Sequence, residues 1–222
     1  MKATFRTALE HLFNLAAVMA VCVMGYASLR PGGFVRAQFR DWQSRRAREA
    51  ALDRLADTTE LRLGDLGRAG AVDTIVIFSD YQCPFCFRLD HELDSLGLIG
   101  SHLSVRVRHF PLENHTFAQD AAKAAICAEQ QSYLASYHRA LFQHDWSGGP
   151  PNWLTLARES GLKDLAAFEV CLRSAAVARR LAGDMALGRQ MGISGTPTIV
   201  LDRTVLTGYV RPESLLAVLS VD

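Results

Sequence analysis

The sequence predicts an α/β domain whose strands fall in two groups on either side of a long helical stretch, preceded by an N-terminal hydrophobic helix. Three observations carry this. Val72–Ser79 (VDTIVIFS) and Leu103–Phe110 (LSVRVRHF) read as strands, and Thr196–Gly208 (TPTIVLDRTVLTG) reads as two short strands about a turn at Asp202 and Arg203. Between the groups the chain is Ala-rich and helical in period from about Thr116 onward. Near the N-terminus, Leu12–Leu29 runs 18 residues without a charge. With 222 residues, 49% hydrophobic and 21% charged, the chain is long enough to bury a sizeable core. Its 24 basic and 23 acidic residues nearly cancel, which leaves no electrostatic case for nucleic acid as a partner.

Taken in order, the first segment (1–29) is long enough to cross a bilayer. Lys2 and Arg6 precede it, which suits an uncleaved signal anchor or a signal peptide cut after Ala27, where Gly25 and Ala27 supply small residues. The length favours the anchor, since it exceeds the usual apolar stretch of a signal peptide. Cys22, inside this run, reads as apolar filler. The next segment (30–58) carries Arg30, Arg36, Arg40, Arg45, Arg46 and Arg48, and an arginine excess on this side of a span usually stays cytoplasmic. Within it Val35, Phe39 and Trp42 fall at i, i+4 and i+7, a spacing that fits a helix resting on an anionic membrane surface or a solvated spacer.

The folded domain (59–222) is expected to begin near Thr59. After the first strand the period becomes helical from Cys83, with Leu89, Leu93 and Leu96 on one side and Gly97 ending the run. The second strand alternates apolar and polar residues, as a strand with one covered face does. Helical stretches follow at Thr116–His144, Trp153–Glu159, Leu165–Arg173 and Ala175–Met191, broken by Gly148, Gly149, Pro150 and Pro151. Pro212 opens a last helix.

At the first strand-to-helix junction, FSDYQCPFC places Cys83 at the mouth of a helix with Pro84 in its first turn and Cys86 one turn on. Free N–H groups and the helix dipole favour a thiolate at Cys83. Cys86 on the same face suits a resolving role in dithiol exchange. Zinc would need four ligands, but Cys127 and Cys171 are isolated and His91 and His102 recreate no familiar ligand spacing. An inert staple closing so short a loop would remove little unfolded-chain entropy.

FSDYQCPFC together with GISGTPTIVLD, Gly192–Asp202, resembles the DsbA-like branch of the thioredoxin superfamily, over essentially the whole chain from about Leu61. Some 111 positions separate Cys86 from Pro197. The resemblance implies a thioredoxin fold with a helical domain inserted at about 114–190. It also implies a cis Thr196–Pro197 bond beside the cysteines, with the Thr196 backbone offered to an extended substrate peptide. Neither a cofactor nor a metal is implied. Related proteins often bridge a cysteine pair such as Cys127 and Cys171. If joined here, they would close a loop of about 45 residues, worth about 4 kcal/mol, and point to an oxidising compartment.

The sequence also departs from better-known relatives. Many carry a buried carboxylate six residues before the first cysteine, where this chain has Ile77. Asp80 is the nearest acid, suited to proton transfer or, more readily, to capping the turn. Strongly oxidising relatives have histidine where Phe85 stands, and Phe85 cannot hydrogen-bond a thiolate, so Pro84 and Phe85 predict a less oxidising couple.

The expected activity is thiol-disulfide exchange that forms disulfides in exported proteins. The alternative is a reductase or isomerase with reversed electron flow, although no separate dimerisation domain precedes the core. A non-catalytic peptide-binding adaptor would be marked by loss of a cysteine, and both are present. By resemblance the pair would be reoxidised by a quinone-linked membrane protein of the DsbB or vitamin K epoxide reductase type. The catalytic domain is expected outside the cytoplasmic membrane, anchored by the N-terminal segment or released if that segment is cleaved.

Overall fold

The computed structural model describes residues 18–19, 21–26, 34–56, 64–65, 73–99 and 103–219. The chain divides into two compact units, Met1–Glu49 and Ala50–Asp222. In the first, residues 21–26 are helical and a long helix, α1 (Phe34–Ala56), begins. Phe39 and Trp42 on it are exposed, their rings stack 5.6 Å apart, and the Arg46 guanidinium lies over the indole at 4.6 Å. Among the described residues no helix is long and apolar enough to cross a membrane. The hydrophobic helix expected over 12–29 falls largely outside them, so the described fold carries no such span.

The second unit is a thioredoxin-like α/β fold. Its elements are the end of α1, β1 (Gly64–Asp65), β2 (Asp73–Ser79), α2 (Pro84–Ser95), β3 (Leu103–His109), α3 (Ala118–Glu129), α4 (Leu134–Gln143), α5 (Trp153–Glu159), α6 (Leu165–Leu172), α7 (Ala175–Gln190), β4 (Thr198–Leu201), β5 (Thr204–Thr207) and α8 (Pro212–Leu219). The mixed sheet runs β1-β3-β2-β4-β5, with β2 parallel to β3 and antiparallel to β4.

In strand β2 the four residues Ile75–Phe78 are apolar without a break because both faces are covered there, as in other buried strands. Ile75 and Ile77 face Leu89 and Leu93 of α2 and Leu215 of α8. Val76 and Phe78 face the other way, onto Phe110, Leu187 of α7, and Ala51, Leu52 and Leu55 of α1. The last turns of α1 therefore belong to the core of this unit. Burying each of the Val, Leu, Ile and Phe side chains among them contributes roughly 1.5–3 kcal/mol.

Two features differ from the sequence expectation. The polar side of β3, expected to be open, is covered by α7; the Arg108 side chain there is 1% exposed and pairs with the fully buried Asp184. The helical region expected over Thr116–His144 is two helices, broken at 130–133. There Ser132 turns left-handed (φ 64°) and Tyr133 N–H bonds back to the Ala128 carbonyl. The turn folds α4 back so that Leu134, Tyr137 and Leu141 share one cluster with Ala121, Ala124 and Ala125 of α3. Later helices start on side-chain caps written in the sequence: Asn152, Asp164 and Ser174 accept N–H bonds from Thr155, Ala167 and Val177.

Candidate active site

Strand β2 delivers the chain to a tight loop at 80–82, and α2 begins on Pro84 with Cys83 as its N-cap residue, in extended conformation. No side chain caps this helix; the Cys83 carbonyl takes the N–H groups of Cys86 and Phe87, each at 3.1 Å. The loop is held by Asp80, which is buried. Its Oδ1 accepts the Gln82 N–H at 2.8 Å, and its Oδ2 accepts the Leu112 N–H at 2.7 Å and lies 2.8 Å from His115 Nδ1. These contacts make Asp80 a cap for the loop, not for the helix. Gln82 Oε1 in turn accepts the Phe117 N–H at 2.6 Å, tying the loop to the start of α3.

Cys83 and Cys86 are both free thiols, 4% and 2% exposed. Thr196–Pro197 is cis and lies against them: the Cys83 thiol donates to the Thr196 carbonyl at 3.4 Å. The electrostatics split the pair. The Cys86 thiol donating to Cys83 is the main influence that lowers the Cys83 pKa from 9.0 to about 5, against the opposing effect of burial. The Thr196 hydroxyl and the N–H groups of Cys86 and Phe85 push the same way. That hydroxyl has no hydrogen-bond partner among the described residues. Burial first, then the neighbouring Cys83, drive the Cys86 pKa well above the ordinary thiol value. One sulfur is thus set to be a thiolate at neutral pH and the other to keep its proton.

Of the residues singled out from sequence, Cys83, Cys86, Pro84, Thr196 and Pro197 come together. Phe85 lies beside them with its ring turned outward, 57% exposed. Ile77 is buried in the apolar cluster beneath α2, in place of a carboxylate. Cys127 on α3 and Cys171 on α6 are joined by a disulfide, Cα atoms 5.8 Å apart. His91 stacks on Phe87 at 5.8 Å, and His102 lies outside the described residues. Among the described residues no group of three or more His, Cys, Asp or Glu could hold a metal.

One feature escaped the sequence. Tyr81, two residues before Cys83, lies 3.0 Å through its hydroxyl from His138 Nδ1, and His138 Nε2 lies 2.8 Å from Asp90 Oδ1. A neutral imidazole with Nε2 donating to the carboxylate and Nδ1 accepting the phenol satisfies all three groups. The chain joins the loop before Cys83, helix α2 and helix α4. Its only trace in the sequence is that His138 falls among Leu134, Tyr137 and Leu141, where a buried polar residue needs partners.

Two buried thiols driven to opposite protonation states, at a helix start and under a cis X-Pro loop of a thioredoxin-like sheet, define a dithiol site of the thioredoxin class. Residues 74–220 match the model of the DSBA-like thioredoxin domain, and the chain belongs to that family. Among solved structures it resembles a thioredoxin-like oxidoreductase from Silicibacter pomeroyi, with 29% identity, TM-score 0.60, and 70% of this chain and 88% of that one covered. It also resembles the thiol-disulfide exchange protein alpha-DsbA2 from Wolbachia pipientis, at 20% identity and TM-score 0.65, over 80% of this chain and 95% of that one. The second likeness speaks for the fold. Among curated proteins, the Na(+)/H(+) antiporter NhaA 3 of Salinispora tropica is 32% identical over 147 residues, 65% of this chain but only 22% of that protein. The chain thus spans about a fifth of such relatives.

Proposed function

We propose that this protein forms disulfides in exported proteins, with Cys83 as the nucleophilic and Cys86 as the resolving cysteine. The observation that carries the reading is the split of the pair, Cys83 low at about 5 and Cys86 raised, beside Thr196–Pro197. In the oxidised enzyme a substrate thiolate attacks Cys83 Sγ, the Cys83–Cys86 bond breaks, and Cys86 leaves and takes up a proton. A second substrate thiolate then attacks the substrate sulfur of the mixed disulfide, expelling Cys83 as a thiolate. Two electrons pass from the substrate dithiol to the enzyme. The proposed onward acceptor is a quinone-linked membrane protein of the DsbB or vitamin K epoxide reductase type.

A Cys83 value of about 5 lies between about 3.5 for the strongest oxidant of this kind and about 7 for thioredoxin. It supports a couple less oxidising than the extreme, as the Pro84-Phe85 dipeptide suggests. The Thr196 carbonyl, reached by the Cys83 thiol, is the proposed backbone contact for an extended substrate. The Cys127–Cys171 bridge supports an oxidising, extracytoplasmic compartment. Attachment through the apolar segment at 12–29 is part of the same proposal.

The redox state of Cys83 and Cys86 in cells tests the direction of flow. A mostly oxidised pair is expected; a pair held reduced at steady state would mean that electrons run the other way. Cys86→Ala should accumulate mixed disulfides through Cys83, and a variant that traps no partner would refute the assigned roles.

A further inference from the structure

Residues 36–50 of α1 are exposed on every face of the helix. A stretch of this length draws little stability from propensity in water and depends on packing an apolar face. The face it carries is aromatic. Phe39 is 56% and Trp42 45% exposed, and among the described residues their rings meet each other and the Arg46 guanidinium over the indole. At about 100° per residue, Phe39, Trp42 and Arg46 fall within a sector of about 60°. Arg36 and Arg45 flank that sector at about 90° on either side. Asp41 lies about 130° from its centre and pairs with Arg45 at 3.0 Å.

Charge says what kind of surface fits this face. Across residues 34–49 five arginines stand against two carboxylates, Asp41 and Glu49, and Arg30 adds a sixth just before the helix. Glu49 lies two turns beyond Trp42, about 10 Å along the axis. Among the described residues Arg36, Arg40, Arg46 and Arg48 have no carboxylate partner. A second copy would set this cationic face against its own image, which like-charge repulsion opposes. An anionic bilayer matches both parts of it: aromatic rings settle at the headgroup boundary, while arginines run their stems along the apolar surface and reach lipid phosphates.

We propose that the N-terminal part of α1 lies on the surface of an anionic phospholipid bilayer, with Phe39 and Trp42 in the interface and Arg36, Arg45 and Arg46 at headgroup level. This contact is separate from attachment through 12–29 and does not depend on it. A surface-bound α1 would also hold the redox unit near a membrane-held electron acceptor, a consequence that rests on the acceptor proposed above.

The test adds the full chain to nanodiscs of phosphatidylcholine, with and without phosphatidylglycerol, whose acyl chains carry bromine as a quencher of tryptophan. Trp146 and Trp153 lie in the second unit, so the difference between the parent and Trp42→Phe isolates the signal of Trp42. Quenching of Trp42 is expected when phosphatidylglycerol is present, and added salt should reverse it. Arg36→Gln combined with Arg45→Gln, both at exposed positions, should lower the ratio of quenched to unquenched Trp42 by about fivefold for each arginine. Co-migration with discs of phosphatidylcholine alone reads attachment through 12–29, so either contact can fail without the other. Trp42 left unquenched, or quenched equally with and without phosphatidylglycerol, overturns the proposal. So does a Trp42 shielded from both bromine and aqueous iodide, which would mean that a protein surface, such as a second copy, covers this face.

Discussion

Two cysteine pairs occupy one hydrophobic cluster and behave as opposites. Cys83, Cys86 and Cys127 all belong to it and Cys171 packs against it, so burial does not distinguish them. What differs is the polar surrounding. Cys83 sits at a helix start with N–H groups, a thiol and a carbonyl around its sulfur, and the pair is open. Cys127 lies among alanines on α3, with its partner 44 positions away on α6, and that pair is closed. Apolar packing brings both pairs of sulfurs together; around Cys83 the donors, chiefly the Cys86 thiol, then lower the pKa of one sulfur.

The largest effect that probes this contrast is on stability. Opening the closed pair with Cys127→Ala and Cys171→Ala frees a loop of 44 positions, a loss of about 4 kcal/mol on the chain-entropy model. For a unit of this size that is a fall in Tm of roughly 8–16 °C. Thiol exchange per folded molecule should be unchanged. Exchange that falls in step with Tm, measured well below the melting range, would show that the closed pair also shapes the open one.

The next effect is on reactivity, and it belongs to the open pair alone. Alkylation of reduced Cys83 by iodoacetamide should reach half its maximum rate near pH 5, where an ordinary thiol needs pH 9.0. Because the folded pKa is depressed, the stability this thiolate gives the reduced protein is fully present above about pH 9. It is lost as pH falls through about 5. Reduced protein should therefore gain stability relative to oxidised protein as pH rises across that window, in denaturant titrations at each pH. A half-point above pH 8 would mean that the donors around Cys83 do not hold the thiolate.

The sequence announces the open pair and hides much of what supports it. Cysteine spacing, Pro84 at a helix start and the Thr196-Pro197 peptide are local signals, and so are the caps Asn152, Asp164 and Ser174. The strands of β2 and β4 are legible because β-branched runs between polar turns have few alternatives. Other features depend on residues far apart in the chain. The pairing of Arg108 with Asp184 spans 76 positions, and nothing in LSVRVRHF tells that α7 will cover its polar side. Leu52 and Leu55 join the core across the sheet from a helix that reads, on charge alone, as solvent-facing. Gly188 is a similar case: a Cβ there would stand 2.7 Å from the Phe110 ring, a close approach of helix to sheet that no local pattern encodes.

The smallest expected effect concerns the tether that does for the open pair what a covalent bond does for the closed one. His138 joins Tyr81, in the loop before Cys83, to Asp90 on α2, as the disulfide joins α3 to α6. His138→Ala leaves the buried Tyr81 hydroxyl without this partner, for a loss of about 1–3 kcal/mol. The tether differs from the disulfide in its position. It fixes the loop that sets Cys83 and the helix that carries Cys86, so its removal should also raise the pH of half-maximal Cys83 alkylation, even by a few tenths. A disulfide variant of equal or greater destabilisation should leave that half-point where it was. If His138→Ala lowers Tm without moving the alkylation half-point, the tether is a structural link like Cys127–Cys171, and the thiolate depends only on the donors at the start of α2.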